Sequence, residues 1–340
     1  LYTSADKIIV KSEDCYQYDS EGKQYIDFES GVWCVNVGHS NQRVIQLIEK
    51  QIAESIHHGY KFRNTPSEEL SMKLLQISGL KNGASVFLSS GSEAVDLSIR
   101  LSRHITGRKR ILKIDTSYLS AYGFGRALDE NENNVVSIPF DNIGSINDID
   151  FIDIAVFVLE TGCASNGVVR FPEYHFVNEI VKRAKENGCL IVAEEVTTGM
   201  GRTGRWFGFQ YYDIIPDMLV TGKALGNGYP VSSVTVSAEI EKRFDESPFT
   251  YAQSHQNDPL GCFIGLEVIK IIEDESLIEK SIEKGLYFKQ RLDAIKIKHQ
   301  ERVKDSRGRG LMLALEFEEH INGAYINDQL FASGFVVGFK

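Results

Sequence analysis

Three runs in the middle of the chain are apolar at nearly every position. Ile154-Ala155-Val156-Phe157-Val158-Leu159 is one, and residues 189–193 and 218–220 are the others. Such runs suit parallel strands buried on both faces. Ser85-Val86-Phe87-Leu88 and residues 110–114 predict two more strands, and residues 93–104 between them predict a helix. A second helix is predicted over 177–187, with Gly188 as its stop. Val44, Ile45, Ile48 and Ile52 recur on one helical face. This alternation from 45 to 255 predicts an α/β, doubly wound sheet.

The two ends have a different texture. Residues 7–10, 15–18 and 24–28 alternate like short strands around Asp19-Ser20-Glu21-Gly22, which is turn chemistry. After Asp258-Pro259, residues 260–273 and 277–295 predict helices, and 311–317 and 335–337 predict strands. The expected organisation is a large domain over 45–255 and a smaller α+β domain built from 1–44 and 256–340. A length of 340 residues accommodates about two domains. Acidic residues number 47 against 37 basic, a formal charge of −10, which argues against a nucleic-acid surface. No run approaches the ~18 apolar residues of a membrane span. No basic-then-apolar leader follows Leu1, although the missing initial Met marks the chain as trimmed or partial. Cys15, Cys34, Cys163, Cys189 and Cys262 are scattered and odd in number, as reduced thiols of a cytoplasmic protein would be. Zinc-protease, EF-hand and serine-hydrolase signatures are absent from the sequence, so no metal is expected.

Three glycine-rich segments are candidates for chemistry. Ser89-Ser90-Gly91-Ser92-Glu93-Ala94 follows a strand and opens a helix, where free N–H groups and the helix dipole favour a phosphate. Taken alone, the segment is better explained as an ordinary Ser N-cap with Glu93 favourable in the first turn. Gly199-Met200-Gly201-Arg202-Thr203-Gly204 spells a dinucleotide fingerprint, but the residues after it lack helical period, so a structural loop is expected. Thr221-Gly222-Lys223-Ala224-Leu225-Gly226-Asn227-Gly228 fails as a Walker loop because Asp217 and Ala224 stand where Gly and Ser or Thr are needed. What remains there is a lysine at the end of a buried strand. Burial lowers a lysine pKa and prepares it as a nucleophile, although a surface lysine after a strand is the plainer alternative. Along residues 190–196, Glu194 and Val196 share a face and Glu195 points away. A strand-end acid beside an apolar side chain could hold the nitrogen and face of a flat heteroaromatic group. Two exposed loop acids would read the same way.

The order of these segments resembles the class III aminotransferases, fold-type I pyridoxal-phosphate enzymes that include acetylornithine, ornithine and 4-aminobutyrate aminotransferases. Residues 18–27 and Gly38-His39 are similar to the family's N-terminal part. Residues 199–204, Pro216-Asp217 and 222–225 are similar to its central block, and 307–313 to its small-domain strand. The resemblance implies a mostly parallel seven-stranded sheet plus a smaller domain, and pyridoxal 5'-phosphate as cofactor. It implies that Lys223 carries the cofactor as an imine and moves the proton, and that Ser90, Gly91 and Ser92 bind its phosphate. Glu194 would pair with the ring nitrogen, Val196 and Tyr118 would pack on the two ring faces, and Thr197 would reach the ring hydroxyl. Ser254 would reach the phosphate of a neighbouring subunit in a homodimer. Trp33 and Glu160 would lie near the substrate, Trp33 being equally readable as core.

Several positions depart from the family pattern. The usual Asp-Glu-Val-Gln reads Glu194-Glu195-Val196-Thr197. The aromatic-His-Gly segment reads Tyr118-Leu119-Ser120, the Glu-Pro segment Glu160-Thr161, and the Gly-Gly-Asn-Pro segment Gln256-Asn257-Asp258-Pro259. The family continues beyond the position of Lys340, where an arginine often holds the substrate carboxylate. The implied activity is ping-pong transfer of an amino group from an amino acid or ω-amine to a 2-oxo acid. Amino-acid epimerisation on the same fold, a non-catalytic homologue, and a nicotinamide oxidoreductase using Gly199 to Gly204 stay open at this point.

Overall fold

The computed structural model describes residues 7–126, 134–163 and 168–339. The chain begins with an antiparallel meander of β1 (Ile9–Glu13), β2 (Tyr16–Asp19) and β3 (Gln24–Asp27). Its second turn is closed by Asp19, whose Oδ1 accepts from the N–H groups of Glu21 and Lys23. A one-turn segment follows, α1 (Ser30–Trp33), with φ between +56° and +66° at all four residues. That strained geometry is held by Asp27, whose carboxylate accepts from the N–H groups of Glu29, Ser30 and Gly31. Helices α2 (Gln42–Glu54) and α3 (Thr65–Ser78) are each capped by an asparagine, Asn41 and Asn64.

The central part alternates β4 (Ala84–Leu88), α4 (Gly91–Thr106), β5 (Arg110–Ile114), β6 (Val135–Ile138), β7 (Ile154–Glu160), α5 (Tyr174–Glu186), β8 (Leu190–Glu194), β9 (Met218–Thr221), β10 (Ser232–Val236) and α6 (Ala238–Glu246). Its seven strands form one sheet in the order β4-β10-β9-β8-β7-β5-β6. All neighbours are parallel except β10, which runs antiparallel to both β4 and β9. Strands β7, β8 and β9 are buried at every residue, as their apolar runs require. β10 is equally buried yet carries three hydroxyls. Two are satisfied sideways, Thr221 Oγ1 and Ser233 Oγ lying 2.7 Å apart and Ser85 Oγ and Thr235 Oγ1 2.8 Å apart, and Ser232 Oγ donates to the Ser90 carbonyl.

After α7 (Pro259–Asp274) and α8 (Leu277–Lys298) come the hairpin β11 (Val303–Arg309) and β12 (Met312–Phe317), then α9 (Gly323–Ala332) and β13 (Phe335–Val336). β13 joins the N-terminal meander beside β3 in parallel, so the two ends of the chain share a four-stranded sheet.

The central sheet divides the core. Phe157, Leu159, Ile191, Ala193 and Leu219 pack on one face, against residues of α3, α5 and α7. Val156, Val158, Leu190, Val192 and Val220 pack on the other, against residues of α4. By strand alternation Lys113, Glu160 and Glu194 point to the α4 face, and Glu195 to the opposite one. Because β10 reverses between β4 and β9, the C-terminal end of β4 emerges at the same edge as those of β5, β7, β8 and β9. That edge is where open α/β sheets hold ligands.

Candidate active site

Five segments meet at this edge: 89–92, 115–118, 160–161, 194–197 and 222–223. The first is the start of α4. Ser90 is its N-cap: Ser90 Oγ accepts from the Glu93 N–H at 3.2 Å, and its carbonyl accepts from the Ala94 N–H. The cap expected from the sequence is therefore real. It also leaves the first two N–H groups of the helix, at Gly91 and Ser92, without an acceptor among the described residues. Ser92 Oγ accepts from the Ala121 N–H, and Ser90 Oγ lies 3.3 Å from the Tyr122 hydroxyl.

Gly91 cannot be replaced without movement. A Cβ there would sit 2.7 Å from Val196 Cγ1, and one at Gly222 would sit 3.4 Å from the Gly91 Cα. The helix start, the apolar residue after β8 and the residue before Lys223 are thus in contact. Lys223 stands one residue beyond β9, after Gly222, with φ of +43°, a left-handed conformation rare for a residue with a side chain. It is half-buried, and burial holds its ammonium below the usual lysine range while Glu194, Cys34 and Glu160 pull it back up. Among the described residues no hydrogen bond or ion pair engages its Nζ.

Glu194 and Glu160 are both buried and lie side by side, as partners across β7 and β8. Burial, then the Glu160 charge, push the Glu194 carboxyl well above the usual range, against the pull of Lys223. Its Oε1 accepts from the Val196 N–H at 3.1 Å. Glu160 Oε2 accepts from the Tyr118 N–H at 2.8 Å and so fixes the loop after β5, leaving the Tyr118 ring 40% exposed. Thr197 is buried directly after Val196. The picture of two exposed loop acids fails: Glu195, on the far face, is 1% exposed. Its carboxylate accepts from Thr198 Oγ1 at 2.6 Å and from the N–H groups of Gly208 and Phe209 at 2.8 and 2.7 Å. Burial nonetheless pushes it up to about 7.

The fingerprint at Gly199 to Gly204 is a structural loop, as its sequel suggested. No helix opens after it; a short 3-10 turn follows at Gly208–Tyr212. Gly204 packs against α8, where a Cβ would lie 2.7 Å from Ile282 Cγ1. The Arg202 carbonyl accepts from Ser281 Oγ and the Leu311 N–H. Trp33 is half-buried with the Arg202 guanidinium 5.2 Å above its ring. Ser254 lies in an exposed turn.

Three residues near the site escaped the sequence reading. Arg202 is buried, and Arg202 Nη2 donates to Asn36 Oδ1. Cys34, next to Trp33, is close enough to Lys223 and Arg202 to feel both charges. Lys113 is buried in β5, and its Nζ donates to the carbonyls of Ser117 at 2.9 Å and Asp115 at 3.3 Å. Burial lowers its pKa while Glu160 raises it. A lysine inside an otherwise apolar strand was the one available signal for it.

The chain matches the class-III aminotransferase family model over residues 2–121 and 119–338. It is 30% identical over 326 residues to the acetylornithine aminotransferase of Archaeoglobus fulgidus, covering 93% of this chain and 84% of that protein. It is 28% identical over 328 residues to the ornithine aminotransferase of Brevibacillus brevis, covering 91% of this chain and 80% of that one. A solved transaminase from the marine bacterium Virgibacillus superposes with a TM-score of 0.89 at 26% identity, covering 98% of this chain and 84% of that one. The taurine:2-oxoglutarate aminotransferase of Bifidobacterium kashiwanohense, solved with PLP and glutamate, shares the fold with a TM-score of 0.90 at 22% identity over 99% and 86% of the two chains. The chain belongs to the class III aminotransferases, a pyridoxal-phosphate-dependent family with the fold-type I architecture.

Proposed function

We propose that this chain is a transaminase in which Lys223 is the working amine and Glu194 the partner of the ring nitrogen, moving an amino group from an amino acid or ω-amine to a 2-oxo acid. The observation that carries this reading is the Lys223 amine: desolvated, without a hydrogen bond among the described residues, and facing a buried carboxyl on the neighbouring strand.

The residues present fit pyridoxal phosphate. The free N–H groups of Gly91 and Ser92, with the Ser90 and Ser92 hydroxyls, suit its phosphate. The close approach of Gly91, Val196 and Gly222 makes an apolar floor for a flat ring. Glu194 suits the ring nitrogen, Thr197 the ring hydroxyl and Tyr118 the second ring face. When bound, the cofactor supplies the electron sink that makes a carbon beside an amine acidic.

The chain's own part is proton handling and orientation. Burial favours the neutral form of the Lys223 amine, which suits its Nζ to take a proton from a substrate carbon and return it. Burial and the Glu160 charge raise the affinity of the Glu194 carboxyl for a proton, which it can share with a basic ring nitrogen. Glutamate reaches one methylene further than aspartate from the same strand position. Glu160 and Lys113 hold the loop of Tyr118 in place. Trp33 and Glu160 are proposed to border the substrate. The exposed Ser254 is proposed to serve the phosphate of a second subunit in a homodimer.

The division into a large domain, 45–255, and a small one from 1–44 and 256–340 belongs to the same proposal; the central sheet lying wholly within 84–236 supports it. All five cysteines are free, which fits the reducing cytoplasm proposed as its compartment. Among the described residues no helix is long and apolar enough to cross a membrane.

The test is a screen of amino donors with 2-oxoglutarate and with pyruvate, on wild type and Lys223→Ala. Wild type should need the 2-oxo acid, and Lys223→Ala should lose turnover and the visible absorbance of the bound cofactor. A variant that kept both, or turnover of an amino acid without a 2-oxo acid, would remove this assignment.

A further inference from the structure

Beside the start of α4 but apart from Lys223 and Glu194, three side chains from two distant segments converge on one point. His57 lies between α2 and α3; His255 and Asp258 lie in the turn before α7. Asp258 holds one imidazole on each oxygen: His57 Nδ1 is 2.5 Å from Oδ1, and His255 Nδ1 is 2.6 Å from Oδ2. One ligand atom from each residue lies within 4.8 Å of the other two.

The backbone beneath this cluster is pinned. The Asn257 N–H donates to the Phe87 carbonyl, and Asn257 Oδ1 accepts from the Phe87 N–H, so the turn is tied to β4 on both groups. The Asn257 carbonyl accepts from Asn64 Nδ2, which ties it to the segment that carries His57.

Asp258 occupies the N-cap position of α7 but makes no capping hydrogen bond with its side chain. An aspartate in that position ordinarily contributes about 1 kcal/mol by capping. Here the carboxylate is turned toward the imidazoles instead. Ion pairs between exposed groups contribute ~0–1 kcal/mol, so pairing with two largely exposed histidines does not by itself account for that choice. Asp258 and His255 also border a cavity of about 210 Å³, with Ser89, Tyr229 and Gly261, which leaves room for water on the open side of a bound ion.

We propose that His57, His255 and Asp258 bind one divalent first-row transition ion, with Zn²⁺ as the type. Two imidazole nitrogens and one carboxylate oxygen select zinc-like ions over Mg²⁺ or Ca²⁺, which take oxygen ligands. Three protein ligands leave a position for water. Binding replaces the two N–H···O contacts: a neutral imidazole shifts its proton from Nδ1 to Nε2, an imidazolium releases its Nδ1 proton to solvent, and in either case the ion takes the Nδ1 lone pair of a neutral ring. The ion then cross-links residue 57 to the 255–258 turn, beside Ser254. The site is independent of the transamination reading.

The experiment uses the cofactor-loaded protein after chelator treatment and dialysis. Zn²⁺ is titrated calorimetrically into wild type, His57→Gln, His255→Gln and the double variant. Co²⁺ is added in parallel as a spectroscopic probe. Because free cysteines and the cofactor can also bind metal, the readout is the difference between wild type and variants. Wild type should bind one more equivalent of Zn²⁺ per chain than the double variant, raise its thermal midpoint on binding, and show visible Co²⁺ bands that Zn²⁺ displaces. Each single variant should weaken that equivalent by more than the ~10–100-fold that loss of a mere supporting contact costs. Circular dichroism checks that these largely exposed positions leave the fold intact. Equal Zn²⁺ stoichiometry and affinity in wild type and a folded double variant, or Co²⁺ spectra that the substitutions do not change, would overturn the proposal.

Discussion

Replacing Gly91 by alanine tests whether the floor of the site is as tight as the structure shows. The added carbon would stand 2.7 and 2.9 Å from the two γ carbons of Val196 and 3.4 Å from its Cβ. Carbon atoms in good contact sit about 3.5–4.0 Å apart, so the overlap is roughly 1 Å. Overpacking of this kind costs about 1–3 kcal/mol. The gain from removing a helical glycine, about 0.5–1 kcal/mol, offsets part of it. Gly91→Ala should therefore lose about 0.5–2 kcal/mol, read as a lower urea midpoint at unchanged slope. Val196→Ala removes both γ carbons and should cost about 1 kcal/mol alone. Combined, the two substitutions should be less damaging than their sum by about 1–2 kcal/mol, because the clash no longer exists. Cofactor titration should follow the same pattern, with Gly91→Ala weakened and the double variant partly restored. A Gly91→Ala protein as stable as wild type, or strict additivity in the double variant, would refute the contact.

Glu195→Ala should destabilise by about 3 kcal/mol or more in urea, since it strands the buried N–H groups of Gly208 and Phe209 at about 1–3 kcal/mol each. Glu195 also predicts a pH dependence. Its folded pKa of about 7 lies above the unfolded value of 4.5, so the folded state keeps a proton that the unfolded state has released. Stability from this group is greatest below pH ~4.5, falls by up to about 3 kcal/mol as pH rises to about 7, and is flat above; unfolding midpoints of wild type against Glu195→Gln should show that slope in wild type alone. Lys113→Met should cost about 1–3 kcal/mol in a denaturant titration, because it takes the hydrogen-bond donor from the Ser117 carbonyl, removes a positive charge that favours ionised Glu160 and frees the 115–118 loop. The same variant with unchanged stability would show that Lys113 does not support Glu160.

Much of the site was legible before folding was considered. Lys223, Glu194, Val196 and the 90–92 turn each lie at the end of an apolar run or the start of a helical period, and both signals survive in a linear chain. Strand alternation placed Glu194 and Val196 together and Glu195 apart, and the packing of Val196 on Gly91 against the hydrogen bonds of Glu195 agrees with it. Strand β10 was not legible, because its serine and threonine hydroxyls look polar until neighbouring strands pair with them. The second layer was not legible either. Lys113, Cys34 and Arg202 read as ordinary residues of a strand, a turn and a loop, and no periodicity marks them.

What the sequence determined by itself was therefore local and one-dimensional: which runs must be buried, where helices start, and which residue types stand at strand ends. Tertiary structure alone decided which strand ends became neighbours. The reversal of β10 turns the start of α4 toward the same edge as Lys223 and Glu194. The parallel register of β7 and β8 sets Glu160 beside Glu194 and raises the carboxyl of the latter. The tie between Asn64 and Asn257 likewise brings His57 to Asp258 across 201 residues of chain. Side-chain periodicity is a property of neighbours along the chain, whereas desolvation and charge coupling depend on neighbours in space, and only the folded sheet supplies those.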